Sequence, residues 1–201
     1  MVRIDPALAG HPDRLRWNAR YASRSEPSFA PHPLAEGALA LPLPPGPMLE
    51  LACGPSGSAL LAAARGRHVT AVDASDVALR LLFDEAARRG LGDLVTPVHG
   101  DLASWQAADA GYALVLCTGY WDRPMFPAAA AAAAAGGVIA WEALTPAARI
   151  ERPQLPAAWC LQPGEPATLL PLGFDVISQQ DAGPAPATRR QLLARRTQPA
   201  S

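Results

Sequence analysis

Lysine is missing altogether. All 17 basic side chains are arginine, set against 18 acidic ones, for a formal net charge of −1. Charge this balanced gives no electrostatic footing for nucleic acid or for an anionic membrane surface. Cysteine is scarce: Cys53, Cys117 and Cys160 are odd in number and widely spaced, matching neither a disulfide framework nor a zinc pattern. The four histidines (His11, His32, His68, His99) are scattered and suggest no metal set. Long apolar runs are also lacking, the nearest being the alanine tract 128–135, about two helical turns. The first six residues contain no apolar core of a signal peptide. These absences lead us to expect a soluble, cytoplasmic chain without metal, membrane or nucleic-acid partners.

What is present is alanine, proline and glycine in quantity, with half of the 201 residues hydrophobic. A chain of this length favours one compact domain and can bury roughly 70% of its unfolded surface. Residues 1–46 are polar and then proline-rich; 13–21 are expected as a short helix anchored by Leu15 and Trp17, and 34–41 as another. From 47 onward strand and helix alternate. Strands are expected at 48–53, 68–73, 94–98, 112–117 and 138–141. Helices are expected at 58–65, at 77–89 behind a Ser75 cap, and at 124–135. Such βαβ alternation implies a parallel sheet covered on both faces. Residues 145–160 read as irregular, and 162–170 as a short helix. Strands at 174–178 and 188–196 are too close for a parallel crossover, so they should form an antiparallel hairpin. The expected fold is therefore α/β: a doubly wound, Rossmann-like, seven-stranded sheet, with 1–46 as a lid segment before a domain over 47–201.

The first strand runs into Glu50-Leu51-Ala52-Cys53-Gly54-Pro55-Ser56-Gly57. Small residues at a strand's carboxyl end let backbone approach a ligand closely, and the next helix adds unpaired N–H groups. Asp73 closes the second strand, where an acid can accept hydrogen bonds from a ribose diol. Asp101-Leu102 follow the third strand, within reach of an adenine ring in the same crevice. Three such features at successive strand ends are more specific than a glycine loop alone.

At these residues the chain resembles the class I S-adenosylmethionine-dependent methyltransferases, over about residues 47–197. The resemblance implies S-adenosylmethionine as cofactor, bound by Glu50, Ala52, Cys53, Gly54, Ser56, Asp73, Ala74, Asp101, Leu102 and Thr118. It places the ribose acid at Asp73 and the adenine acid at Asp101. Thr118-Gly119-Tyr120-Trp121 fall where the family's methyl-transfer site opens. The closer likeness is to small bacterial enzymes of the tellurite-resistance or thiopurine type, through Trp17-Asn18-Ala19-Arg20-Tyr21 and Gln162-Pro163-Gly164-Glu165. Candidate contacts to a small-molecule acceptor are Arg20, Tyr21, Tyr120, Trp121 and Arg123. Ala52 and Ser56 stand where glycines are common in the first motif.

The rival reading is a nicotinamide-dependent oxidoreductase, since Ala52-x-Gly54-x-x-Gly57 is one substitution from the dinucleotide fingerprint. Charge separates the two. Glu50 would repel a pyrophosphate but attract an ammonium and a sulfonium, and Pro55 removes a donor a phosphate would use. A third reading is a scaffold protein that keeps the fold without turnover. Arg189, Arg190, Arg195 and Arg196 are expected as solvated residues on an edge strand. No catalytic base is evident.

Overall fold

The computed structural model describes residues 2–23, 27–104, 107 and 111–197. Seven strands form one sheet in the order β3-β2-β1-β4-β5-β7-β6. They are β1 (Met48–Leu51), β2 (Val69–Asp73), β3 (Val95–His99), β4 (Tyr112–Thr118), β5 (Ala133–Leu144), β6 (Phe174–Ala182) and β7 (Arg189–Arg196). The first five are mutually parallel. The last two pair antiparallel with each other, and β7 pairs antiparallel with β5. The expected fold class is the one observed. Strand order reverses between β1 and its neighbours β2 and β4, which opens a crevice beyond their carboxyl ends.

Alternating side chains feed two cores, as a pleated sheet covered on both faces requires. On one face Met48, Ala71, Leu114 and Leu116 pack with α2 (Pro33–Ala40), α3 (Gly57–Ala64) and α4 (Asp76–Arg88). On the other, Leu49, Leu51, Val115, Ile139 and Trp141 meet α5 (Met125–Ala131). Serine caps start two of these helices. Ser56 Oγ accepts the Ala59 N–H (2.9 Å) at α3, and Ser75 Oγ that of Ala78 (3.1 Å) at α4.

The sheet overrides local preference in the alanine tract. The helix expected over 124–135 stops at Ala131, and β5 begins at Ala133, ahead of the β-branched residues from Val138 where the strand is expected to start. Ala133 pairs with Tyr112, and the register then shifts before Leu114 meets Val138. Gly136 (φ +75°) turns the irregularity, and a Cβ at Gly137 would stand 2.8 Å from the Tyr112 carbonyl oxygen. Pairing with β4 thus wins over the helix propensity of alanine.

Three other expectations need correction. Residues 162–170 form a turn and one 3-10 turn (Ala167–Leu169), because Pro163 and Pro166 cannot donate to a helix. The stretch expected as irregular holds one helical turn, α6 (Ala148–Glu151), and a 3-10 turn at Ala157–Trp159. The four C-terminal arginines are not on an edge: β7 lies inside the sheet and β6 is the edge. Arg189 pairs with Glu142 and Arg190 with Asp181, while Arg195 and Arg196 donate to the carbonyls of Gly136 and Ala133. They tie the sheet together.

The N-terminal helix α1 (Pro12–Ala22) buries no residue and docks by polar contacts. Leu15, expected as an anchor, is 54% exposed. Arg14 Nε and Asn18 Nδ2 both donate to Asp76 Oδ1 at 2.7 Å, and Asn18 Oδ1 accepts from the Ser75 hydroxyl at 2.7 Å. The helix is thereby laid against the start of α4, at the rim of the crevice.

Candidate active site

Glu50 is the next-to-last residue of β1 and is 2% exposed. Its carboxylate receives the Ser56 hydroxyl, which lies 2.8 and 2.7 Å from its two oxygens. No cation reaches it among the described residues. Burial pushes its carboxyl up to about 8; Ser56 opposes the shift and the nearby Asp73 carboxylate adds to it. Asp73 ends β2, also buried, accepting the Gly54 N–H at Oδ2 (2.8 Å) and the Ser75 N–H at Oδ1 (2.7 Å). Burial raises it to about 6 against those two hydrogen bonds, with Asp13 contributing in the same direction. Two buried carboxyls at neighbouring strand ends, neither with an ion-pair partner among the described residues, form a patch suited to a cationic ligand.

The loop between them bends where small residues permit it. Ala52 takes φ +50° and Gly54 φ +59°, and Cys53 N–H donates to the Val72 carbonyl at 3.1 Å. A Cβ at Gly54 would stand 2.8 Å from the Tyr21 hydroxyl oxygen, so α1 reaches across and touches this loop. One at Gly57 would collide with the Phe29 carbonyl at 2.3 Å. Burial and the two acids raise the Cys53 thiol, which marks it as a neutral packing group rather than a nucleophile.

Further along the crevice, Ala74 lends its carbonyl to His99 Nε2 (3.0 Å), while His99 Nδ1 accepts the Asp5 N–H (3.0 Å). Leu102 is buried in the second core. Asp101 accepts the Ala103 N–H and the Ser104 hydroxyl, and lies 3.9 Å from His11 Nε2. At the end of β4, Thr118 and Tyr120 are half-buried and Trp121 is buried against Phe126 and Trp141. The Trp141 indole N–H holds the Tyr120 carbonyl (3.1 Å), whereas the Trp121 indole N–H has no partner. Burial, with Asp122 and Asp101 nearby, raises the Tyr120 hydroxyl.

The expected acceptor contacts separate into two kinds. Tyr21 lies against Gly54, Tyr120 is half-buried at the end of β4, and Trp121 is packed inside the second core. Arg123 instead pairs with the buried Glu165, through Nη1–Oε1 at 2.8 Å and Nη2–Oε2 at 3.2 Å, and Glu165 also accepts the Gln162 N–H. Arg20 is exposed and lies over the Trp17 ring, 5.3 Å from its centroid. Residues to which sequence reasoning assigned no site role include His11, Arg14, Asp76 and His99, and Asn18 was flagged only as part of a motif. Their partners lie far away in sequence, 58 residues for Asn18–Asp76 and 94 for Asp5–His99, so no local pattern flags them.

Residues 48–136 match the family model of a methyltransferase domain. No curated protein matches the chain. Among solved structures, the chain is similar to one solved for the conversion of a disulfide bond into a thioacetal group during echinomycin biosynthesis. The TM-score is 0.68 at 20% identity, covering 93% of this chain and 94% of that one. It is similar to the CcbJ methyltransferase from Streptomyces caelestis (TM-score 0.66, 18% identity, 92% and 97% covered). It is also similar to the glycopeptide N-methyltransferase MtfA complexed with S-adenosylmethionine (TM-score 0.58, 21% identity, 83% and 86% covered). These likenesses show the fold. Among the described residues no helix is long and apolar enough to cross a membrane. The chain thus carries a methyltransferase domain over residues 48–136, within a fold it shares with solved methyltransferases.

Proposed function

We propose that this enzyme methylates a small-molecule acceptor, and that a thiol or similar sulfur nucleophile fits its site best. The observation that carries the reading is the charge state of the crevice. Glu50 and Asp73 are buried without a cation, and the cofactor's ammonium and sulfonium supply what they lack. On this reading Glu50, with the loop of Ala52, Cys53, Gly54 and Ser56, holds the methionine end. Asp73 takes the ribose hydroxyls, with Ala74 beside it. Asp101 and Leu102 flank the adenine, and Thr118 closes the floor at β4. Residues 1–46 act as a lid through α1, whose Tyr21 already lies against Gly54. A nicotinamide dinucleotide is disfavoured, because its pyrophosphate would meet two buried carboxyls instead of supplying the positive charge they lack.

Methyl transfer from a sulfonium is an in-line displacement with a neutral leaving group, so no acid is needed. The protein's work is to align nucleophile and methyl carbon and to keep water out. The acceptor side opens at Tyr120 and Trp121. The Tyr120 hydroxyl and the Cys117 thiol are both raised by burial, so neither takes up a proton from an acceptor near neutral pH. A thiol forms its own anion in useful amount there and needs no base. This favours sulfur over alcohol acceptors, and it agrees with the kinship we propose to tellurite-resistance and thiopurine-type enzymes. Arg123 is engaged by Glu165, which leaves Arg20 as the guanidinium placed to meet an anionic acceptor.

Calorimetric titration with S-adenosylmethionine, S-adenosylhomocysteine and both nicotinamide redox forms tests the cofactor assignment. Binding of the two sulfur compounds alone is expected. Turnover, read as S-adenosylhomocysteine release, is then compared across small thiols, amines and alcohols. Faster turnover of amines at neutral pH would overturn the sulfur assignment. Arg20→Ala should raise the KM of an anionic thiol and leave that of a neutral one unchanged.

A further inference from the structure

Two segments at the carboxyl end of the sheet lack an apolar foot. α1 buries no residue, and from Ala148 to Trp159 only Ala148 is buried. Arg16 joins the two. Its guanidinium lies 5.3 Å from the Trp17 ring centroid and 5.0 Å from that of Trp159, and Asp13 holds it from within α1 at 2.8 Å. The Trp17 ring stacks in turn on Tyr21, with centroids 5.8 Å apart, and Tyr21 lies against Gly54 just after β1. At the other end, Trp159 leads into Cys160 and Leu161, which are tied to the last residue of β5. Cys160 bridges Leu144, and the Leu161 N–H donates to the Leu144 carbonyl at 2.8 Å. This chain of contacts leaves the sheet after β1 and rejoins it after β5. β4 lies between those two strands, so the chain arches across the end of β4, where Thr118 and Tyr120 stand.

We propose that the contact between Arg16 and Trp159 is the clasp of a gate, at which α1 and the 148–160 segment part to admit and release ligands. The inference rests on the reading of residues 1–46 as a lid over this crevice. The strength of the contacts decides where the cover opens. On the α4 side, Arg14 and Asn18 each donate a 2.7 Å hydrogen bond to Asp76, whose carboxylate is buried. Hydrogen bonds to a buried charge are strong. On the other side, a cation lies over aromatic rings in solvent: Arg16 is exposed and Trp159 is 42% exposed. Exposed contacts of that kind are weak. α1 therefore stays hinged on α4 and lifts at Arg16, as segments with few buried apolar contacts open first. The clasp is built from the chain's own groups and needs no ligand to form. It closes in the free and the bound protein alike, and so it slows entry as much as exit.

The test follows association and displacement of S-adenosylhomocysteine by stopped flow. It compares wild type with Arg16→Ala, Trp159→Ala, Trp159→Phe and the double variant Arg16→Ala/Trp159→Ala. Each alanine variant should raise both rate constants about 2- to 5-fold and leave Kd unchanged. Trp159→Phe keeps an aromatic face and should stay near wild type. The double variant should not exceed the single ones, because both remove the same contact. Hydrogen exchange without ligand reads the clasp separately: amides of α1 and of residues 157–161 should exchange faster in the alanine variants. Unaltered exchange there overturns the clasp. Faster exchange with unaltered ligand rates overturns the gate and leaves Arg16 and Trp159 as surface packing. A raised Kd carried by dissociation alone also overturns it, placing the two residues among the groups that hold bound ligand. Failure of the wild type to bind S-adenosylhomocysteine would bring down the cofactor reading instead, and hydrogen exchange would then decide the clasp by itself.

Discussion

Glu50 and Glu142 are the same residue type, each 2% exposed, on β1 and β5 of one sheet. Their surroundings push them in opposite directions. Burial raises Glu50 to about 8, with the Ser56 hydroxyl and the Ala59 backbone N–H in opposition. Glu142 is buried too, but His32, Gln191 (2.8 Å) and Arg189 (2.6 Å) donate to it and hold it at about 2. The contrast shows where the molecule has settled its own charges and where it has left them for a ligand. The half around β5 to β7 is internally neutralised, with Glu165–Arg123 and Asp181–Arg190 as further pairs. At the ends of β1 and β2, Glu50 and Asp73 have no such ion pair among the described residues. A buried carboxylate that a protein fully satisfies is architecture; one that it leaves unmet beside a cleft is a binding group.

The largest expected effect tests that contrast directly. Glu50→Gln should weaken S-adenosylmethionine binding roughly 100-fold, the cost of removing one partner of a buried charge pair. The same substitution should stabilise the ligand-free protein. A carboxyl whose folded value is raised contributes stability that is whole below its ordinary 4.5 and lost as pH rises through about 8. Urea midpoints of wild type and Glu50→Gln should therefore diverge toward pH 8, by roughly 1–2 kcal/mol, and converge near pH 4.5. A destabilised Glu50→Gln at pH 8 would erase the distinction between the two glutamates.

Glu142→Gln should do the reverse. Cofactor affinity is expected to stay unchanged while stability drops by roughly 1–3 kcal/mol, discounted because Arg189 is half-exposed. The sign of its pH dependence is opposite as well. A carboxyl with a lowered folded value contributes stability present above 4.5 and lost as pH falls through about 2. The gap between variant and wild type should hold from pH 5 to 8 and narrow in acid. A loss of cofactor affinity in this variant would place Glu142 in the binding machinery.

Asp73 sharpens the comparison at smaller magnitude. Asp73→Ala should weaken S-adenosylmethionine by roughly 1–3 kcal/mol, the worth of charged hydrogen bonds. In the wild type, affinity should fall as pH drops through about 6, where Asp73 takes up a proton in the free protein. Asp73→Asn should flatten that limb of the profile. An unchanged Kd in folded Asp73→Ala would reduce the residue to a brace for Gly54 and Ser75.

The cofactor half was far more legible in sequence than its cover. Glu50 to Gly57, Asp73 and Asp101 each follow a strand whose apolar run announces it, so position along the chain implies position in the crevice. The seven strands and the terminal hairpin followed from the same alternation. The alanine tract misled because alanine has no side chain to declare a face, and only pairing with Tyr112 decides its state. The arginine quartet misled because an alternating strand looks the same at an edge and in the interior. Glu142 carried no signal at all: its partners His32, Gln191 and Arg189 come from two other elements and are brought together only by the fold. The N-terminal helix was legible, but not the residues that hold it down. Its contacts are polar, isolated and distant in sequence.

That last point yields the smallest effect, at the seam between the lid and the unmet acids. Asn18 is the only asparagine in the chain, and its amide meets Asp76 with its nitrogen and Ser75 with its oxygen. Asn18→Ala removes both contacts but leaves Arg14 on Asp76, so α1 should stay docked with about 1 kcal/mol less to hold it. Because the lid adds little to the charge balance at Glu50, the equilibrium Kd should move only a few-fold. The change should fall on the dissociation rate, which a looser cover raises, while the association rate stays near its wild-type value. Stopped-flow displacement of S-adenosylhomocysteine reads both rates. An unaltered dissociation rate would make α1 a passive cover and leave retention of the cofactor to the acids beneath it.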